Sequence, residues 1–252
     1  MSIPKVIHYC WFGENPQPES VQHCIQSWKK FCPDYEIIEW NESNFDCSTN
    51  RYCREAYEQK KWAFVSDYAR LKIINDQGGI YLDTDVELVK PLDDLLEYGA
   101  FMGFERAKPS ASIPRFQVAT GLGFGAIPRH PVIQALLADY ADIPFVLPDG
   151  TCDCTACPDR STNTLVSLGL VPDDSLQMLG DVCILPAEYL CPQDFYSGKL
   201  TMTEHTYSIH HYDASWISSG ARRSIALRHL VGNRVYRILY RVLLHHFSGW
   251  EC

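Results

Sequence analysis

The sequence lacks several features that would place it in a membrane, secreted or repetitive class. No apolar run reaches the roughly 18 residues of a membrane-spanning helix, and the first residues do not resemble a secretory signal. No internal repeat or low-complexity linker is present. Basic residues are scarce as well, since 22 lysines and arginines stand against 31 acids for a net charge of −9. We therefore expect a globular cytoplasmic protein without a nucleic-acid partner.

The basic residues that are present are unevenly placed. The chain of 252 residues is longer than the roughly 150 residues of a typical domain, which suggests one domain with an appendage. Residues 221–252 hold six arginines, no lysine and a single acid, Glu251. Their helical spacing predicts a basic amphipathic helix after a main domain of residues 1–220. This helix could dock on the acidic domain, or it could make a peripheral contact with the inner face of an anionic membrane.

Cysteine is abundant, with eleven residues. In a cytoplasmic chain the thiols are expected to stay reduced. Cys152, Cys154 and Cys157 could instead form part of a zinc site, but structural zinc sites need a second pair with suitable spacing. Free thiols are the favoured interpretation, and the zinc site stays as an alternative.

The first half of the chain predicts alternating strands and helices. Short apolar segments at 6–12 and 35–40 flank a helical pattern over 19–31, which is the β-α-β unit of a parallel sheet. A second helix is predicted over 62–77, ended by Gly78-Gly79. The apolar segment 80–82 then predicts a short buried strand.

Two acids follow that strand directly, in the triplet Asp83-Thr84-Asp85. Ligands of α/β proteins bind at the carboxyl ends of strands, and two carboxylates there can share Mg²⁺ or Mn²⁺. On the preceding helix, Asp67 and Arg70 are three residues apart and share a face. They could form an ordinary surface ion pair, or they could hold sugar hydroxyls by charge-assisted hydrogen bonds.

Three segments together carry a family resemblance: 3–13, 66–70 and 78–85. They resemble the sugar-binding and D-x-D region of glycosyltransferase family 32, which includes capsular-polysaccharide transferases. The same block is similar to the catalytic domains of clostridial glucosylating toxins. The resemblance implies a GT-A type α/β fold, which is a Rossmann-like mixed sheet flanked by helices. It also implies a nucleotide-sugar donor, with a UDP-sugar favoured.

The resemblance assigns roles to individual residues of this block. Asp67 and Arg70 would contact the donor sugar, and Asp83 would lie near the ribose and sugar and reach the metal through water. Asp85 would bind the metal directly. These four are the expected catalytic residues. Trp11 would stack on the nucleobase, although a tryptophan that closes the first strand could equally belong to the core.

A second block, 210–216, resembles the segment that closes the active site in this group. His211 is the expected third metal ligand, because a neutral imidazole can bind Mn²⁺. His210 remains the alternative, since adjacent side chains of a strand face opposite ways. Ser215 and Trp216 would reach the diphosphate, the latter through its indole N–H.

Gly121, Gly123 and Gly125 lack the spacing of a dinucleotide-binding loop. A strand that passes close to the sugar is the favoured interpretation of these three glycines.

The sequence thus predicts a metal-dependent enzyme, using Mn²⁺ or Mg²⁺, that transfers a hexose with retention of configuration. The acceptor would be a saccharide or a lipid-linked saccharide, in capsular or cell-surface polysaccharide synthesis. Two alternatives stay open: a non-catalytic nucleotide-sugar-binding protein, and a toxin-like protein glucosyltransferase. A phosphotransferase is disfavoured, because the sequence has no Walker-type loop.

Overall fold

A computed structural model of the chain describes residues 2–106, 115–195 and 197–212. This part contains ten strands and six α-helices. The strands are β1 Val6–Cys10, β2 Glu36–Trp40, β3 Gly79–Tyr81, β4 Val86–Leu88, β5 Ala100–Arg106, β6 Phe116–Val118, β7 Phe124–Ala126, β8 Gln177–Leu179, β9 Val182–Leu185 and β10 Ser208–His210. The helices are α1 Glu19–Phe31, α2 Arg51–Glu58, α3 Trp62–Gln77, α4 Pro131–Ala138, α5 Cys157–Ser167 and α6 Ala187–Leu190. The expected C-terminal helix of residues 221–252 lies outside these ranges.

The parallel part of the sheet comes from the first third of the chain. Strand β1 pairs in parallel with β2 on one side and with β3 on the other. Helix α1 connects β1 to β2, so the predicted β-α-β unit is confirmed. Because parallel strands end at the same edge, the segments after β1 and β3 lie next to each other.

The remainder of the main sheet is mostly antiparallel. The strands follow the order β2-β1-β3-β7-β5-β9-β8, and β6 pairs with β5 off this path. Strand β7 is antiparallel to β3 and β5, whereas β5 and β9 are parallel. This mixed sheet flanked by helices confirms the fold class expected from the sequence, the GT-A type.

A separate two-stranded sheet ties the end of the described chain to the D-x-D segment. Strand β10 pairs antiparallel with β4, and His210 lies opposite Val86. The backbone N–H of His211 also donates to the carbonyl of Asp85, with a distance of 2.9 Å. Residues more than 120 positions apart therefore meet directly after β3.

Helix α3 is buried on most of its circumference, although its sequence is not uniformly apolar. Its buried members include Phe64, Val65, Ile74 and also the charged pair Asp67 and Arg70. The helix ends as expected from the sequence at Gly78, whose φ of 66° is unfavourable for other residues. Because α3 packs inside the molecule, it carries two ionic side chains into the interior.

Two expectations concern membranes and thiols. Within the described part of the chain, no helix is both long and apolar enough to cross a bilayer. Nine cysteines are free thiols, among them Cys152 and Cys157. Cys154 is disulfide-bonded, which corrects the expectation of a free thiol at that position. Among the described residues, the group placed to share a metal ion contains no cysteine.

A candidate sugar-nucleotide site at the end of strand β3

A deep cavity opens where β1 and β3 end. Its volume is about 860 Å³, within the roughly 300–1,000 Å³ of small-molecule sites. The five residues that sequence analysis placed in the first block all line it, namely Trp11, Asp67, Arg70, Asp83 and Asp85. The cavity thus lies at the carboxyl ends of parallel strands, the position at which α/β folds bind ligands.

Asp67 and Arg70 form a buried ion pair. Arg70 Nη2 lies 2.6 Å from Asp67 Oδ1, and the two side chains are only 4% and 11% exposed. Arg70 Nε donates to the carbonyl of Ser66 at 3.0 Å, and Nη1 lies 3.6 Å from Asp83 Oδ2. The surface ion pair considered from sequence is therefore wrong. A guanidinium fixed on three sides presents its remaining N–H groups in one orientation.

Burial also changes the acidity of Asp67. Desolvation raises the pKa of its carboxyl to about 6, although the positive charge of Arg70 opposes the change. The pKa of Asp83 is raised for the same first reason, and the neighbouring Asp85 raises it further. A cation that binds these acids would reduce their mutual repulsion.

Three side chains in the cavity are arranged to share a cation. Asp83, Asp85 and His210 each offer one ligand atom, and these atoms lie within 4.8 Å of one another. His210 Nε2 is 3.2 Å from Asp85 Oδ1, and both side chains are largely buried. His210 Nδ1 is buried without a hydrogen-bond partner among the described residues. Two carboxylates and one imidazole suit Mn²⁺, so the residues present fit the expected metal.

The neighbouring carboxylates change the pKa of His210. Burial lowers the pKa of His210, but the carboxylates of Asp85, Asp83 and Glu105 outweigh it and raise the pKa to about 9. A protonated imidazole cannot bind a metal. Binding of a divalent cation at this site would therefore release the proton of His210.

The structure corrects the choice of histidine. His211, the ligand favoured from sequence, points away from the aspartates and its Nε2 lies 2.9 Å from Glu87 Oε2. Its side chain is 38% exposed. His210 takes the inward position because side chains alternate along β10 and its pairing with β4 fixes which one faces the cavity.

Trp11 lies at the mouth of the cavity, half-buried rather than within the core. Its indole N–H donates to the carbonyl of Asn15 at 2.6 Å, which orients the ring. The position is compatible with stacking on a flat group. Ser215 and Trp216, the two expected diphosphate contacts, lie outside the described residues.

Gly121 brings a short helical turn, Thr120–Leu122, directly onto the charged group. A Cβ atom there would lie 2.6 Å from Asp83 Oδ2 and 3.2 Å from Arg70 Nη1. The glycine is thus needed for space beside the carboxylate. This agrees with the expectation of a glycine segment near the sugar, but the contact is with site residues and the segment includes a turn as well as β7.

Cys157 is a site residue that sequence analysis missed in this role. The thiol opens α5, lies 3.3 Å from Thr120 Oγ1 and 4.0 Å from Arg70 Nη1, and is buried. It packs behind the Asp67–Arg70 pair. No local sequence signal marks it, because the contact depends on how α5 packs across the sheet.

Comparisons with known proteins agree with this geometry. Residues 18–102 match the family model described as "Glycosyltransferase sugar-binding region containing DXD motif". Inositol phosphoceramide mannosyltransferase 3 of Schizosaccharomyces pombe is 33% identical over 113 residues, which is 43% of this chain and 31% of that protein. An uncharacterized glycosyltransferase of Acanthamoeba polyphaga mimivirus is 25% identical over 227 residues, covering 85% of this chain and 84% of the relative.

One solved structure with a similar fold is the PaToxG glycosyltransferase. It has a TM-score of 0.49 at 21% identity, over 66% of this chain and 70% of that one. The chain spans about a third of the length of the Schizosaccharomyces pombe relative. The comparisons support the expected glycosyltransferase class, and residues 18–102 are similar to the sugar-binding region of D-x-D glycosyltransferases.

Proposed function

We propose that this chain is a metal-dependent glycosyltransferase that moves a hexose from a nucleotide-diphosphate sugar to a hydroxyl acceptor. The observation that carries the proposal is the meeting of two charged groups in one cavity. The buried Asp67–Arg70 pair lies beside the Asp83–Asp85–His210 group, and Arg70 Nη1 and Asp83 Oδ2 are 3.6 Å apart. Such an arrangement can hold sugar hydroxyls next to a cation-bound diphosphate.

Asp85 and His210 would hold the cation directly, and Asp83 would assist directly or through a water. When bound, Mn²⁺ or Mg²⁺ would stabilise the negative charge that develops on the leaving diphosphate. Asp67 and Arg70 would orient the sugar by hydrogen bonds to its hydroxyls. Trp11, at the cavity mouth, would stack on the nucleobase, and a UDP-sugar is the favoured donor.

The reaction would break the bond between the anomeric carbon and the diphosphate oxygen, and the electron pair would leave with the diphosphate. The acceptor oxygen would form the new bond to the anomeric carbon, and its proton would pass to the diphosphate or to water. Retention of configuration is proposed because the family resemblance implies it.

The acceptor proposed from sequence was a saccharide or lipid-linked saccharide in capsule or cell-surface synthesis. The similarity to an inositol phosphoceramide mannosyltransferase adds mannose transfer to an inositol-phosphate lipid as a second candidate. Either acceptor would suit an enzyme at the inner face of a membrane. The basic residues 221–252 would provide that peripheral contact.

Two alternatives differ from this proposal, and the donor screen described below tests the first of them. A non-catalytic nucleotide-sugar-binding protein would bind donors without cleaving them, and a toxin-like enzyme would modify a protein hydroxyl. The buried Asp67–Arg70 pair and the intact acid group both support a catalytic site over a binding site.

The test is a screen of UDP- and GDP-hexoses, in which release of free nucleotide is measured with and without Mn²⁺. We expect at least one donor to be hydrolysed only with the metal. Asp85→Asn should lower that rate by about 1,000-fold, since it removes charge from the metal site. Asp142→Asn, at an exposed position, is the matched control and should retain the wild-type rate. Binding of donors without hydrolysis would favour the non-catalytic alternative.

A further inference from the structure

A second group of polar side chains lines the same cavity and takes no part in the donor contacts described above. Glu105, Gln117 and Asp159 all face the cavity, as do the aromatic rings of Phe195 and Tyr212. We call these five residues the acceptor side. Asp67, Arg70, Asp83, Asp85 and His210 are called the donor side.

Strand pairing places the polar members together. Glu105 on β5 lies directly opposite Gln117 on β6, so the two side chains share one face of the sheet. Gln117 Nε2 donates to Asp159 Oδ1 at 2.5 Å, and Gln117 is only 6% exposed. Two carboxylates and a buried amide are therefore held side by side, a donor and acceptor set that matches vicinal hydroxyls.

The aromatic members complete a surface that suits a sugar ring. The rings of Phe195 and Tyr212 pack edge to face, with centroids 5.0 Å apart. Tyr212 Oη lies 3.4 Å from Glu105 Oε2. An apolar aromatic wall next to a few fixed polar groups is the usual composition of a small-molecule site.

The two sides touch each other at the end of β10. The ring of His210 packs against that of Tyr212 with centroids 4.3 Å apart. A hydroxyl bound on the acceptor side would therefore lie next to the cation group and the anomeric carbon of the donor.

The charged residues of the acceptor side determine which ligands it can bind. Asp159 would repel a phosphate or a carboxylate of the ligand, and Glu105, whose pKa burial raises to about 7, would add to this repulsion in its ionised form. Arg106 also lines the cavity, but its guanidinium is about half exposed and lies 3.9 Å from Asp194 Oδ2, which offsets its charge. The diphosphate of the donor is thereby kept on the metal-binding side.

From this arrangement we infer that Glu105, Gln117 and Asp159 form the acceptor subsite, and that it takes a neutral sugar ring through its hydroxyls. The inference rests on the proposed function, because it assigns the second substrate of the same reaction. It is more specific than that function, since it excludes a uronic acid or a phosphorylated ring as the residue that receives the hexose, and with it the inositol-phosphate lipid named above as the second candidate.

The experiment measures how each enzyme divides one donor between water and a sugar. The donor identified in the hydrolysis screen is supplied with Mn²⁺ and either methyl α-D-mannopyranoside, methyl β-D-galactopyranoside or methyl β-D-glucuronoside. Products are separated by mass spectrometry, and the ratio of glycoside product to free sugar is determined.

We expect transfer to a neutral glycoside and not to the glucuronoside. Glu105→Gln and Asp159→Asn should each lower the transfer-to-hydrolysis ratio about tenfold, because each replaces one carboxyl oxygen, a hydrogen-bond acceptor for the sugar hydroxyls, by an amide NH₂ group. Glu97→Gln, at an exposed position outside the cavity, should leave the ratio unchanged. Asp159→Asn keeps an oxygen for Gln117 and serves as the second variant if Glu105→Gln does not fold.

An unchanged ratio in the folded variants would overturn the inference, even if both rates fall together, because that pattern places the residue on the donor side. Preference for the glucuronoside, or donor hydrolysis without transfer to any of the glycosides, would overturn it as well. Absence of donor hydrolysis in the wild-type protein is a different result, which refutes the proposed function itself.

Discussion

The two sides of the cavity differ in how tightly their polar groups are already paired. On the donor side, Arg70 contacts Asp67 at 2.6 Å and Asp83 at 3.6 Å, and the pair is almost fully buried. On the acceptor side, Gln117 Nε2 donates to Asp159 Oδ1 at 2.5 Å, but Glu105 has only a 3.4 Å contact with Tyr212, and aromatic rings supply much of the wall. One side is fixed by ionic contacts before any ligand binds, whereas the other leaves hydrogen-bonding capacity for a ligand. Charged groups that are held in place before binding are suited to stabilise a leaving diphosphate. Polar groups with unused hydrogen-bonding capacity are suited to bind a neutral hydroxyl.

Adding one methyl group at Gly121 should disturb the fixed contacts of the donor side. Gly121→Ala would place a Cβ 2.6 Å from Asp83 Oδ2 and 3.2 Å from Arg70 Nη1. Because both partners are held by other contacts, we expect kcat/KM for donor hydrolysis to fall about 100-fold. Gly121 has no positive φ, so thermal unfolding should show a stable fold.

Gly169→Ala is the matched control for that substitution. Gly169 has open space around its Cβ position but a φ of +103°. The variant should lose about 1 kcal/mol of stability and keep its activity, the reverse of Gly121→Ala. Wild-type activity in Gly121→Ala would show that the donor side is not rigid, and the contrast between the two sides would be lost.

The burial of the donor pair predicts a dependence of stability on pH. Asp67 has a pKa of about 6 in the folded protein against an ordinary value of 3.8. An acid whose pKa is raised by folding takes up a proton between these values, so the fold gains stability as the pH drops below 6. Compared with Asp67→Asn, the wild-type protein should gain about 1.4 kcal/mol in free energy of unfolding between pH 7 and pH 5.

Urea unfolding of both proteins at the two pH values measures this difference. Subtraction of the Asp67→Asn values removes the contribution of every other titrating group that the two proteins share. If the difference in free energy of unfolding between the two proteins is the same at pH 7 and pH 5, Asp67 is solvated, as in a surface ion pair. The donor side would then not be preorganised.

The same two sides show why the sequence predicted part of the site. Most donor residues lie on one helix or directly after the strand that follows it, so helical spacing and the acid triplet bring them together within residues 67–85. Such local patterns follow from the geometry of single elements. The parallel β1–β3 unit was predictable for the same reason.

The acceptor side could not be found in this way. Glu105, Gln117 and Asp159 come from two strands and a helix, and only the pairing of β5 with β6 and the packing of α5 bring them together. Each is an ordinary polar residue in its own segment. The sequence also could not show which of His210 and His211 faces the aspartates. The register of β10 against β4 determines this, and the sequence of β10 alone does not specify that register.

The central claim is that the donor side binds a divalent cation through Asp83, Asp85 and His210. The most direct measurement is a titration with Mn²⁺ followed by electron paramagnetic resonance, on the wild-type protein and on His210→Gln and His211→Gln. We expect one bound Mn²⁺ in the wild-type protein and binding at least about tenfold weaker in His210→Gln. His211→Gln should bind Mn²⁺ with wild-type affinity. Equal weakening in both variants, or unchanged binding in His210→Gln, would contradict this claim.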